Sequence, residues 1–147
     1  MKTAALGLAA LIIVAALGPG VPAPVAAAPS VFDGTWDVTL TCPPLRDDED
    51  DAKGYIQRFS GQVRDGMLRA AHGVERQPSW HLLTGEIPPD GKAMLTIDGI
   101  VKSADYAVNH AARGKAYTFR VRATFEGTHG SGVRLGKRKC EFDFRRR

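Results

Sequence analysis

Only two cysteines occur in the chain, Cys42 and Cys140, and they form no Cys-x-x-Cys pair. That excludes a dithiol redox centre and a cysteine-rich zinc module. The four histidines, His72, His81, His110 and His129, stand singly, none with a His or Cys partner at zinc-ligand spacing. Gly-x-Ser-x-Gly is absent, and the lone serines have no His or Asp in a recognisable nucleophile pattern. No glycine-rich phosphate loop is present either. The sequence therefore predicts neither a cofactor, a resident metal nor a catalytic residue. Long apolar runs are missing too: the single apolar stretch falls short of the roughly twenty residues that cross a bilayer as a helix. No amphipathic helical repeat stands out, so an all-β chain is expected.

The N-terminus reads as an export signal. Met1-Lys2-Thr3 supplies one positive charge, Ala4 to Leu17 is apolar, and Gly18-Pro19-Gly20 breaks the run. Val25-Ala26-Ala27 presents small side chains to a signal peptidase, and cleavage after Ala27 avoids beginning the mature chain with Pro29. No Cys follows the apolar run, so a lipid anchor is not expected. The reading is a signal peptide over residues 1–27 and a single domain over 28–147, destined for the periplasm or the outside. In such an oxidising compartment two cysteines make one intramolecular bridge. Tying the first strand to the last closes a loop through most of the domain, worth about 4.5 kcal/mol in the chain-entropy account.

After Ser30 the pattern has period two. Trp36, Val38, Leu40 and Cys42 share one face of a first strand, and Pro43-Pro44 ends it because proline cannot donate to a ladder. An acidic run, Asp47-Asp48-Glu49-Asp50-Asp51, follows as a solvated loop expected to matter little to stability. It fails as a calcium loop, because Ala52 and Arg58 stand where an EF-hand requires glycine and glutamate. The second strand puts Tyr55, Phe59, Gly61 and Val63 inward, with Gln57 as the polar exception. Asp65-Gly66 and Pro88-Pro89-Asp90-Gly91 are hairpin turns. Between them Trp80 to Ile87 is apolar on both parities, which predicts a bulge or burial on two faces. Residues 102–115 break the rhythm and predict a surface loop with one helical turn around Ala107 to Ala112. Tyr117, Phe119, Val121, Ala123 and Phe125 then face in along the strongest strand. Gly127 to Gly132 turns the chain, and Cys140, Phe142 and Phe144 line the inside of the last strand.

Seven or eight short strands in this order make a small antiparallel up-and-down β-barrel, with a flattened barrel or sandwich as the alternative. The inward aromatics Trp36, Tyr55, Phe59, Tyr117, Phe119, Phe125, Phe142 and Phe144 supply enough bulk to fill it.

Gly34-Thr35-Trp36 at the start of the first strand, with an arginine-rich last strand, resembles the calycin group of lipocalin- and avidin-type barrels. In that group a Gly-x-Trp opens the first strand and an arginine covers the tryptophan at the closed end. The resemblance implies that the register setting Cys42 opposite Cys140 also sets Trp36 opposite Arg146, a cation–π pair. The layout also resembles small uncharacterised bacterial exported proteins with a first-strand Cys, repeated Asp-Gly turns and a Cys-x-Phe-x-Phe ending. That likeness implies a compartment and a fold, and no activity.

Charge is uneven. The chain has net charge +4, but Arg113 to Arg147 carries eleven Lys and Arg against Glu126, Glu141 and Asp143. Arg120, Arg122, Arg134, Lys137, Arg138 and Lys139 are therefore the expected partner-binding surface. It suits an anionic envelope surface or another exported protein, whereas export argues against nucleic acid. The function expected from sequence is a non-catalytic binding or interaction module. The alternative is a small envelope enzyme whose site assembles only in three dimensions.

Overall fold

Strands that alternate apolar and polar side chains bury one face by pairing edge to edge and curling that face inward. The computed structural model describes residues 28–147; the expected signal segment, 1–27, lies outside the described residues. β1 (Gly34–Cys42) is followed by a small separate hairpin, β2 (Leu45–Arg46) and β3 (Asp51–Ala52). Then come β4 (Tyr55–Arg64), β5 (Met67–His72), β6 (His81–Glu86) and β7 (Lys92–Ile100). β8 (Ala116–Glu126), β9 (His129–Arg134) and β10 (Glu141–Arg146) complete the chain. From β4 to β10 each strand pairs antiparallel with the next, and β1 joins β10 to β4, so the sheet closes into a barrel. The up-and-down barrel is thus the architecture, and the sandwich alternative falls away.

Closure has the register that the cysteines imply. Trp36 sits opposite Arg146, Val38 opposite Phe144 and Leu40 opposite Phe142. One step on, Cys42 and Cys140 are bonded. At the closed end Trp36 is fully buried and donates its indole N–H to the Phe32 carbonyl at 2.9 Å. The Phe125 ring meets it edge-on at 5.4 Å, and Arg146 lies over it at 6.0 Å.

Local turn chemistry follows the sequence in most places. Asp65 and Gly66 both adopt positive φ, 50° and 76°, as a two-residue hairpin with the right twist requires. The glycine cluster is different from expectation: only Gly127-Thr128 turns, and Gly130 and Gly132 belong to β9. Their bare faces are needed for packing. A Cβ on Gly130 would lie 2.6 Å from the Phe125 ring.

Three other expectations are corrected. Of the two readings for β6, the bulge is absent from its pairing with β5, which runs without a break, and the other holds in part: His81 and Leu83 point in and Leu82 is half-buried on the outside. The 102–115 segment forms two 3-10 turns, Ala104–Tyr106 and Val108–His110, the first begun by Ser103, whose hydroxyl accepts the Asp105 N–H. The acidic run is not a free solvated loop, since Asp47 and Asp50 close the β2–β3 hairpin through reciprocal backbone bonds. Asp50 is buried, accepts the Asn109 N–H at 2.7 Å and faces Lys137 Nζ at 3.3 Å. The physical reason is long-range: the hairpin folds onto the β9–β10 connection, where Lys137 also reaches Asp47 and Glu49 at 3.3 and 3.2 Å.

Candidate functional site

An up-and-down barrel brings one end of every strand to each rim. At the rim opposite Trp36 these are the ends of β1, β5, β7 and β9 and the starts of β4, β6, β8 and β10. The inward residues of β4 are buried at Gly61 and Val63 but only half-buried at Tyr55, Gln57 and Phe59. In β8 they are buried at Val121, Ala123 and Phe125 and half-buried at Tyr117 and Phe119. The core therefore fills one half of the barrel and stops. Above it lies a cavity of about 320 Å³, walled on one side by the 102–111 segment. The expectation of a filled barrel holds for the closed half only, and part of the aromatic bulk lines a space instead.

Each wall has a local cause. Tyr117 can lie against β7 because Gly99 opposes it in the ladder, where any Cβ would collide with the tyrosine ring. Burial raises the Tyr117 phenol above its ordinary pKa, with Tyr55 adding to the shift and Arg134 opposing it. It stays a neutral donor at physiological pH. Gln57, the polar exception on the inner face of β4, sits here with its amide 3.4 Å from the Ser79 hydroxyl. Arg134 enters from the last position of β9 and is 8 % exposed. Its Nε and Nη2 donate to the Arg138 carbonyl at 3.3 and 3.2 Å, and its guanidinium stacks 4.1 Å over Phe119.

Arg138 holds the rim together. At 2 % exposure it donates to the carbonyls of Pro43 (2.8 Å), Tyr106 (2.8 Å), Lys53 (2.6 Å) and Cys42 (3.4 Å). One guanidinium thereby joins the end of β1, the β3–β4 connection and the first 3-10 turn.

His81 lines the cavity and is the polar residue that sequence reasoning missed. Stacked against His72 at 5.0 Å and edge-on to Phe59, it is 1 % exposed, and its Nε2 has no hydrogen-bond partner. Burial, with His72 adding like charge, pushes its pKa down to about 4. The sign of the linkage follows: unfolding lets the imidazole take a proton that the folded site refuses. Stability is then full above about pH 6.5 and declines as pH falls toward 4, by at most about 3 kcal/mol. Urea unfolding at pH 7 and pH 4.5 should show this loss, and His81→Leu should flatten it. An equally steep loss in the variant would assign the pH dependence elsewhere.

The expected basic surface is not one surface. Arg134 and Arg138 are buried at the rim: Arg134 follows the inward parity of Gly130 and Gly132 along β9, and Arg138, in the bend between β9 and β10, is drawn in by the carbonyls it donates to. Lys137 is engaged by three carboxylates of the β2–β3 hairpin. Arg120, Arg122 and Lys139 remain exposed. Of these, Arg122 and Lys139 share a shallow outer concavity with Glu141 and Asp143, so the charge there is mixed. No local pattern marks Arg138 as buried, because it lies in a bend rather than on a strand.

No family model, curated protein or solved structure matches this chain. Among the described residues no three His, Cys, Asp or Glu side chains converge as metal ligands do. The groups that do converge are aromatic rings, one amide, one buried imidazole and buried guanidinium groups.

Proposed function

We propose that this is an exported, non-catalytic binding module that takes a small molecule into the cavity at the open end of its barrel. One observation carries the reading: the core ends halfway, leaving about 320 Å³ of aromatic-walled space that opens at a rim held rigid by Arg138. Small-molecule sites share this form, a concave and mostly apolar pocket with a few fixed polar groups. The space has the volume of roughly ten liquid waters at about 30 Å³ each, and their release favours an apolar ligand body.

Export is supported by the signal-like residues 1–27 together with the Cys42–Cys140 disulfide. Among the described residues no helix is long and apolar enough to cross a membrane. The Arg146–Trp36 stack supports the likeness to calycin barrels.

The test uses N-phenyl-1-naphthylamine, a neutral dye that brightens in apolar surroundings. The parent domain should bind it with micromolar affinity. Gln57→Trp, which fills the cavity from a strand position already facing inward, should weaken binding at least ten-fold while the domain stays folded. Equal binding by both proteins would place the dye on the outer surface and refute the reading.

A further inference from the structure

We propose that the ligand of this cavity is an organic oxyanion: a small aromatic or aliphatic body bearing one negatively charged oxygen group, which Arg134 receives. The inference rests on the cavity reading above and goes beyond it in naming the ligand's charge and its anchor.

The first ground is charge without a counter-charge. Arg134, Arg138 and Lys102 all line the cavity, and no Asp or Glu does. Among the described residues neither Arg134 nor Arg138 makes an ion pair, although acidic residues are available elsewhere in the same rim. Taking a cation out of water costs several kcal/mol unless opposite charge or full hydrogen bonding replaces the lost hydration. For Arg138 that replacement is complete in kind, since Nε, Nη1 and Nη2 all donate to carbonyls, and Asp50 lends it favourable charge. For Arg134 it is not.

The second ground is the geometry of Arg134. Its Nε and Nη2 are both spent on the one carbonyl of Arg138, which fixes the plane of the guanidinium. Nη1, with two N–H groups, makes no hydrogen bond among the described residues and, unlike His81 Nε2, is not sealed from solvent. Phe119 covers one face of the guanidinium and supplies only the weak negative potential of a ring. What is left is a charged, oriented donor pair beside an open space. A planar cation held in this way discriminates for oxyanions, because charge-assisted hydrogen bonds are about twice as strong as neutral ones and the fixed fork matches an oxyanion's geometry.

The third ground is the rest of the wall. His81 is neutral at pH 7 because burial depresses it, and Tyr117 keeps its proton for the same reason, so neither cancels nor duplicates the charge of Arg134. The rings of Tyr55, Tyr117 and Phe119 offer apolar surface to a ligand body, and the cavity is far too small for a folded partner. The same three cations disfavour a cationic ligand by like-charge repulsion.

Two dyes share one apolar body and differ by one oxyanion: N-phenyl-1-naphthylamine and 8-anilinonaphthalene-1-sulfonate. In fluorescence titrations the parent domain should bind the sulfonate at least ten-fold more tightly than the neutral dye. Arg134→Gln should bring the ratio of the two affinities to about one, whatever it does to either dye alone, and Arg134→Lys should restore part of the preference. Gln57→Trp should lose both dyes, which separates the cavity from the outer basic residues. A second measurement needs no variant: 3-phenylpropionate should displace the bound sulfonate dye from the parent, and 3-phenylpropanamide should do so at least ten-fold less well. Equal affinity of the parent for both dyes, or a sulfonate preference that survives Arg134→Gln, overturns the oxyanion inference and leaves the cavity reading standing. Failure of the parent to bind either dye overturns both.

Discussion

Replacing Arg138 with methionine should remove about 3 kcal/mol of stability, a large effect for a residue that the sequence places on a basic surface. Methionine keeps the unbranched stem and deletes the donors. Four carbonyls, of Pro43, Tyr106, Lys53 and Cys42, then lose their partner at one stroke. Each buried unpaired carbonyl costs about 1–3 kcal/mol, and access of water from the neighbouring cavity lowers the sum. The rim should also loosen, so amides near Ala107 and Ala111, which close the two 3-10 turns, should exchange faster in the variant. Arg122→Met is the matched control. Arg122 is exposed on the outer face of β8, and its loss should change stability by no more than about 0.5 kcal/mol. Urea unfolding of both variants decides the matter, and equal, small effects would show that Arg138 does not hold the rim.

Converting both cysteines to alanine should cost more still, about 4.5 kcal/mol, and lower the melting temperature by on the order of 15 °C. The bridge spans a sequence separation of 98, so cutting it releases nearly the whole domain in the unfolded state. The native sheet should nevertheless persist, because β1 and β10 keep the pairing from Trp36–Arg146 to Thr41–Glu141. The Trp36 and Phe125 packing at the closed end is remote from the bridge and should be undisturbed. A reversible melt of Cys42→Ala/Cys140→Ala with native-like tryptophan fluorescence at low temperature is the expected outcome. A shift of only a few degrees would mean that the reduced chain is already constrained by residual structure when unfolded.

These two expectations change the meaning of a third experiment. Lys137→Glu/Arg138→Glu/Lys139→Glu is the natural reversal of a basic patch read from sequence. In the structure it buries a carboxylate among four carbonyls and sets another against Asp47, Glu49 and Asp50. Lost binding by that variant would report a collapsed rim. Arg120→Glu/Arg122→Glu/Lys139→Glu tests the outer surface without touching the fold.

Much of the barrel can be read along the chain. Period-two alternation assigns each side chain to the inner or outer face, and Asp65-Gly66 sets a hairpin by its demand for positive φ. Two cysteines on the inward parity of the first and last strands imply both closure and register, and Trp36 opposite Arg146 follows from them. Parity gave no help with Arg138, which lies in a bend between strands, and a charged residue next to Lys137 and Lys139 reads as one of a solvated cluster. His81 was masked differently, because Trp80 to Ile87 is apolar on both parities and neither is marked as the inner one.

By itself, then, the sequence determined the barrel strands other than β9, the disulfide and the closed end, since all of these depend on local alternation and on covalent or near-neighbour constraints. Only the tertiary structure decided how far up the barrel the core reaches. Alternation says which way a side chain points and nothing about what stands across from it. A cavity is the difference between a wall and its filling, and here that difference is set by Gly99, by the 102–111 segment and by a hairpin from the other end of the domain. The pairing of Lys137 with Asp50 is equally non-local, at a separation of 87 residues. Charges that look exposed in a linear reading became interior ones because the folded rim supplied carbonyls and carboxylates in place of water. That left Arg134 with a guanidinium only partly satisfied, facing the cavity at the open end of the barrel.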